Sequence, residues 1–267
     1  MIVNARSVVE ENPYGILSPA TDNARLTSEE WIRGVEYWTP ACAAQHSLTD
    51  TCETVTDGPY DSQGQENDPT EFMKEYTPFD IITKVQCSTM GTTQKELDQL
   101  VIGQAELALQ FNIEREFWNG VVSTSNGNDY LEPDGTPISV TNYEPDVALA
   151  ILEQSLSGVS NPTIHMPRAI AVRSRIRPDK KGVMRTRTGA RVVIGDGYNG
   201  TATGDESDGI YAMVGTGPVV VRYGTPQLLD MDFGQLNRNT ISATVVTPAA
   251  VFWTDCRHSV INVDITK

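Results

Sequence analysis

TQKELDQLVIGQAELALQFNIEREFWNG, residues 93–120, is the stretch on which the fold turns. Thr93 and Glu96 have capping-box spacing, in which the hydroxyl and the carboxylate each satisfy an amide that the first helical turn leaves free. Leu97, Leu100, Val101, Ala105, Ala108, Phe111 and Trp118 then recur at intervals near three and four, which predicts a single apolar stripe. Asn119-Gly120 supplies the C-cap, because glycine adopts left-handed backbone without steric cost. At 1.5 Å per residue such a helix is roughly 40 Å long, a beam able to cross a whole domain.

Upstream of the beam, residues 1–26 read as an irregular arm with turn signals at Asn12-Pro13 and Ser18-Pro19. Thr27-Ser28-Glu29-Glu30 predicts a short helix with Trp31, Ile32 and Val35 as its apolar stripe, ended by Pro40. Residues 41–90 read as a two-limbed excursion without a core of its own, its return limb β-rich from Pro78 to Cys87. Loops of that length are uncommon inside domains and are usually functional.

Downstream, residues 145–157 predict a second helix carrying Val147, Leu149, Ala150, Leu152 and Leu156. Thr163-Ile164-His165-Met166 reads as a short buried strand, and residues 167–176 as an arginine-rich helix. Strand patterns follow at residues 190–194, 210–214, 219–223, 241–246, 251–253 and 259–265. The fold class is α+β, with one long helix, a few short ones and strands concentrated in the C-terminal half.

Charge is divided unevenly. Residues 44–82 hold nine acids against the single base Lys74, about −8. Residues 168–191 hold nine bases against the single acid Asp179, about +8. These are either two solvated segments or two surfaces that attract, and attraction of this size selects which surface meets which. The chain as a whole has a formal net charge of −15 over 267 residues, whereas free nucleic-acid binders are more often basic. The basic segment can still face a polyanion. No signal-peptide pattern and no membrane-spanning apolar run is present, and Cys42, Cys52, Cys87 and Cys256 match no zinc or redox spacing, which together predict a reducing compartment.

Four motifs invite chemistry and none carries it. Gly195-Asp196-Gly197-Tyr198-Asn199-Gly200 has dinucleotide-loop spacing, but the following residues 201–208 read as an acidic loop rather than a helix start, so a glycine-rich surface turn is expected. Asp196, Asp205, Glu206 and Asp208 lack the alternating positions of a calcium loop. Cys42, His46 and Cys52, or Cys256 and His258, fall short of four zinc ligands. His165 lies in an apolar strand and reads as a satisfied core residue, and no nucleophile–base–orienter set is visible. Catalytic, cofactor and metal sites are therefore predicted to be absent, and the four tryptophans to be core.

Three local runs are similar to stretches of phage capsid subunits: Asn161-Pro162-Thr163-Ile164-His165-Met166-Pro167-Arg168, then Gly189-Ala190-Arg191-Val192-Val193, then Val214-Gly215-Thr216-Gly217-Pro218-Val219. The ending from Phe252 to Val260 is similar as well. With the order of elements, the chain resembles the major capsid protein of tailed bacteriophages, the Hong Kong 97-type family whose fold encapsulins share. The resemblance implies an N-terminal arm (1–40), an extended β-hairpin loop (41–91), a peripheral domain with the spine helix (92–142), an axial domain (143–233) and return strands to the peripheral domain (234–267).

The same resemblance implies a structural subunit, not an enzyme, forming hexamers and pentamers of an icosahedral virion capsid around double-stranded DNA. The DNA is held non-specifically, portal and scaffolding proteins are further partners, no membrane is involved, and assembly occurs in the host bacterial cytoplasm. A scaffolding segment is not visible in the sequence, so scaffolding is expected to be a separate protein. Lys74 and Lys84 sit in the loop, but no motif assigns them to cross-linking. The expected subunit contact brings Asp57, Asp61, Glu66, Asp68 or Glu71 of one copy to Arg173, Arg175, Arg177, Arg185 or Arg187 of another. Exposed pairs contribute only ~0–1 kcal/mol each, so they set register more than affinity. The alternatives are an encapsulin-type storage shell, a head-completion or tail protein, and a soluble enzyme with an atypical glycine-rich site.

Overall fold

A computed structural model describes residues 12–27, 30–31, 35–38, 73–88, 93–132, 136–198, 209–229, 240–253 and 257–267. In chain order, strands β1 (Asp22–Arg25), β2 (Val35–Trp38), β3 (Met73–Tyr76) and β4 (Phe79–Ser88) precede the long helix α1 (Gln94–Asn119). Short α2 (Ser123–Asn126) and helix α3 (Pro145–Ser155) lead to β5 (Thr163–Pro167), the single turn α4 (Arg168–Ala171), β6 (Arg177–Pro178), β7 (Met184–Arg185) and β8 (Arg191–Gly195). The chain closes with β9 (Ile210–Thr216), β10 (Val219–Tyr223), β11 (Gln227–Leu229), β12 (Thr240–Trp253) and β13 (His258–Asp264).

The capping box is formed. Thr93 Oγ1 accepts the Glu96 amide at 3.3 Å, and the Glu96 carboxylate accepts the Thr93 amide at 2.9 Å. Those bonds hold the Glu96 carboxyl below its ordinary range. Gly120 ends the helix at φ 63°, where a Cβ would strike the Tyr130 ring. The buried face differs from the predicted stripe. Leu97, Val101 and Ala105 pack on Ala243 and Val245 of β12, but Leu100 and Phe111 are exposed, and Leu109, Ile113 and Phe117 continue the core instead. The C-terminal half of α1 is covered on more than one side, so Gln110, Glu114, Glu116 and Trp118 are buried as well.

In the first sheet β12 is the axis. β4 runs antiparallel along one side of it, from Ser88 opposite Thr240 to Phe79 opposite Ala249. On the other side β11 pairs Thr244–Val246 and β10 pairs Ala249–Trp253. The residues read as two strands, 241–246 and 251–253, are thus one. Proline is tolerated inside it because Pro248 faces the gap between β11 and β10, where no ladder donor is needed and its carbonyl accepts the Gly224 amide at 2.8 Å. β1 adds in parallel to β10, so part of the predicted irregular arm is a strand. Val35 is in a strand too, not in the helix that begins near Glu30; β2 pairs β3 as a separate two-stranded ribbon.

The second sheet has the order β13-β9-β5-β8-β7-β6. Every residue of β5 is buried, and α3 lays Ala148, Leu149, Leu152 and Leu156 over the sheet, leaving Val147 and Ala150 outside. The arginine-rich helix predicted over 167–176 stops after one turn. The Ser174 hydroxyl bonds the Ile170 carbonyl at 3.0 Å, and the Arg175 amide turns to Asp146 at 3.0 Å, at the start of α3.

The two sheets meet at a buried polar junction on α1. Glu114, fully buried, accepts the amides of Ile16 (2.9 Å), Asp196 (2.7 Å) and Gly197 (2.9 Å). Burial pushes its carboxyl up, and the three amides oppose that shift. A Cβ on Gly197 would stand 2.5 Å from the Phe111 carbonyl oxygen, so only glycine fits there. The glycine-rich segment is therefore packed on the helix and is not the expected surface turn. Beside it, His165 Nδ1 lies 3.0 Å from the Tyr198 hydroxyl and Nε2 lies 3.2 Å from Thr216 Oγ1. Thr216 donates its one hydroxyl proton to the Gly217 carbonyl, so Nε2 carries the ring hydrogen and Tyr198 donates to Nδ1. His165 is the satisfied core residue the sequence predicts.

Gly197→Ala will destabilise the fold by about 1–3 kcal/mol, since helix backbone must shift. Gly103→Ala, whose Cβ meets nothing within 4 Å, will stabilise α1 by about 0.5–1 kcal/mol. Urea melts of the two variants measure both. Burial, reinforced by His258, lowers the His165 pKa from 6.5 to about 3. The unfolded chain then binds a proton that the folded one refuses, so this contribution is complete above about pH 6.5 and is lost as pH falls toward 3. His165→Phe should be less stable at neutral pH, because Tyr198 and Thr216 lose their partner, and should show a flatter pH dependence over that window. An unchanged slope would contradict the assignment.

Candidate functional site

The basic segment folds into the β6–β7 hairpin at the end of the second sheet. Asp179 builds its turn: one carboxylate oxygen accepts the amides of Lys181 (2.7 Å) and Val183 (3.0 Å), and the other accepts Arg185 Nε at 2.9 Å. The Arg185 hydrogen bond is the main cause holding this carboxyl below its ordinary range. Gly182 takes φ 80°, which lets the chain reverse. Arg185 also donates to the Gly189 carbonyl at 2.8 Å, and Arg175 pairs with Asp146 at 2.8 Å.

These contacts divide the predicted contact residues. Arg175 and Arg185 are engaged by acids of their own chain, a local competition that sequence distance hides for Asp146, 29 residues away. Arg173, Arg177 and Arg187 are exposed and have no ion pair among the described residues, and the same holds for Lys180 and Lys181. Arg168 is held by Asp196, and Arg191 reaches the Ala20 carbonyl. The acidic residues Asp57, Asp61, Glu66, Asp68 and Glu71 lie outside the described residues.

A second surface was not foreseen. Leu100, Leu107 and Phe111, 39–45% exposed, sit at i, i+7 and i+11 on the outer side of α1. Near its C-terminal end a groove of about 260 Å³ opens between α1 and β4, lined by Ile82, Asn112, Arg115, Glu116, Val121 and Val122 among others. Ile82 and Val121 are about two-thirds exposed. The predicted stripe had already placed apolar residues at 100 and 111, beyond what one buried face needs; that excess was the signal.

The chemical motifs resolve into structure. The Asp196 and Gly197 amides, which a phosphate at the glycine-rich turn would need, are already taken by Glu114. Among the described residues no cluster of histidine, cysteine and carboxylate side chains is arranged to hold a metal ion. Cys87 is a free thiol, half-buried against the Leu97 cluster, while Cys42, His46, Cys52 and Cys256 lie outside the described residues. His258 Nε2 meets the Leu131 carbonyl at 2.6 Å and its ring stacks on Trp253. Among the described residues no helix is long and apolar enough to cross a membrane.

No family model and no curated protein matches the chain by sequence. Solved structures match it over nearly its whole length. A SrpI encapsulin complex from Synechococcus elongatus PCC 7942 is 12% identical with a TM-score of 0.55, covering 99% of this chain and 94% of its own. The capsid of an empty GTA particle is 9% identical with a TM-score of 0.56, covering 98% and 94%. A structure from Mycobacterium phage Cain is 11% identical with a TM-score of 0.53, covering 93% and 90%. Spine helix, two sheets and end-to-end coverage together give this chain the Hong Kong 97-type α+β fold.

Proposed function

We propose that the chain is the structural subunit of a closed icosahedral shell, a virion capsid built from hexamers and pentamers of one protein around double-stranded DNA. The observation that carries this reading is the fold, matched from end to end in a GTA capsid. A second observation supports it from physics. The β2–β3 ribbon pairs with no third strand among the described residues, and an isolated two-stranded ribbon is marginal in water. Its base is anchored in its own chain, where Tyr76 stacks on Phe252 and donates to Asp129 at 2.9 Å, and a neighbouring copy would supply a surface for the rest. The exposed apolar side of α1 supports the same conclusion, because such a face is favourably covered.

In this reading the subunit has no catalytic role. It holds DNA non-specifically, meets portal and scaffolding proteins, and assembles in the bacterial cytoplasm before residing in the virion. The division into an arm (1–40), loop (41–91), peripheral domain (92–142), axial domain (143–233) and return strands (234–267) belongs to the same proposal. A storage shell of the encapsulin kind is the second reading, favoured by the likeness to the encapsulin complex.

Electron microscopy of the purified protein tests the proposal. Closed, uniform particles tens of nanometres across are expected, and a discrete small oligomer at every protein concentration would overturn it. Nuclease-protected DNA in particles from infected or lysogenic cells supports the capsid. Particles that hold a co-purifying enzyme and no DNA favour the storage shell.

A further inference from the structure

We propose that the open edge of β4 is a pairing surface for a second copy of the chain. Two β4 strands join antiparallel about a two-fold axis at Ile82, so that the first sheet of one copy continues into that of the other. β4 pairs with β12 along its whole length of ten residues and with no other strand among the described residues. Such a strand carries a second row of amides and carbonyls on the side away from its neighbour, and an edge this long is a template for another strand. The groove between α1 and β4 follows the first part of that edge. It is lined by four consecutive residues, Phe79 to Ile82, which belong to both faces of the strand.

Three side chains select what pairs there. Along β4 burial alternates, with Ile81 buried and Asp80, Ile82 and Lys84 exposed. Asp80 and Lys84 stand two residues to either side of Ile82, and neither has an ion partner among the described residues. The order acid, apolar, base is complementary to its own reverse. Antiparallel pairing centred on Ile82 sets Asp80 opposite the partner's Lys84, Lys84 opposite the partner's Asp80, and Ile82 opposite the partner's Ile82. Opposite residues lie about 4.5–5.5 Å apart between Cα atoms, within reach of both charge and apolar contact.

Other arrangements fit worse. Parallel pairing in register places acid on acid and base on base. A slip of one residue sets exposed Ile82 beside buried Ile81 and turns one core face to solvent. A slip of two sets Ile82 against a charge, and a slip of four sets like charges together. The symmetry also selects the partner, because a residue cannot lie opposite itself within one chain. A two-fold contact is closed as well, consuming the edge of both copies and leaving none for a third. Lys84 opposes indiscriminate strand addition, and the partner's Asp80 removes that obstacle for this pairing alone. The contact joins two chains whether or not they close into a shell.

A single introduced cysteine tests it. Ile82→Cys meets its counterpart only across the two-fold axis, so a short bis-maleimide can join that residue to itself only between chains. Gln86→Cys is the control, since in this register its counterpart lies roughly 27 Å away. Peptide mapping of the covalent dimer should identify residue 82 joined to residue 82, in several-fold greater yield than 86 to 86. Equal yields, or no coupling at 82, overturn the pairing. Sedimentation supplies a second readout, with circular dichroism checking the fold. Asp80→Lys and Lys84→Asp each create two like-charge pairs, and each should raise the concentration needed for association roughly tenfold. The chain carrying both substitutions should return to within a few-fold of wild type.

A single charge variant that associates like wild type overturns the pairing, and so does a doubly substituted chain that fails to recover. Should a charge variant fail to fold, the cysteine experiment decides alone. Coupling of the introduced cysteine to a different protein, in particles isolated from cells, assigns the edge to that protein and overturns the pairing. Particles that form without coupling at 82 overturn the pairing and leave the shell reading intact. A coupled dimer that never closes into particles does the reverse.

Discussion

A carboxylate without a counter-ion holds this architecture together. Glu114 sits in the middle of the main core, and its oxygens accept one amide from the N-terminal arm and two from the turn after β8. A buried acid left bare would be strongly unfavourable, and hydrogen bonds to backbone amides are what make it tolerable. Those amides belong to segments 98 residues before it and 82 residues after it, so one side chain fixes arm, spine helix and second sheet relative to one another. Gly197 is small because the amides must come that close. Asp196, whose charge also raises the Glu114 pKa, is neutralised in turn by Arg168.

From that junction the position of the hairpin follows. β8 ends at the turn held by Glu114, and β7 and β6 extend the same sheet outward. Local acids within reach of the basic segment are consumed in shaping it: Asp179 makes the turn, and Asp146 draws Arg175 toward α3. At the first sheet Asp22 is likewise matched by Arg222. Among the described residues, the cations left without an acid partner gather mainly on this hairpin.

The spine helix was legible because its signals are local: capping box, period and terminal glycine are all within the helix. Most strands were legible for the same reason. What failed depended on neighbours. Leu100 and Phe111 satisfied the period, yet sequence cannot say that the covered sector shifts to Leu109, Ile113 and Glu114 where the second sheet closes over the helix. The sequence divided β12 into two runs, 241–246 and 251–253, because the gap between β10 and β11 that Pro248 faces exists only in the assembled sheet. The glycine-rich turn looked exposed because its partner, Glu114, lies more than 80 residues upstream. Of the candidate contact residues, the charge excess was readable, but which arginines lack an acid partner was not, because Asp146 reaches Arg175 from the start of α3.

Sequence identities of 9–12% beside nearly complete coverage make physical sense for such a molecule. The constraints that define it are positional rather than chemical: an apolar sector on a long helix, a fully buried central strand, a glycine where backbones touch, a long strand flanked by others. Many residue combinations meet each of these, as volume-conserving core changes generally do. The surfaces are a different matter: an exposed apolar line on α1 and a basic hairpin without acid partners both cost solubility or self-repulsion in a lone molecule. Both are surfaces whose cost falls when something covers them, which is what the proposed shell would do.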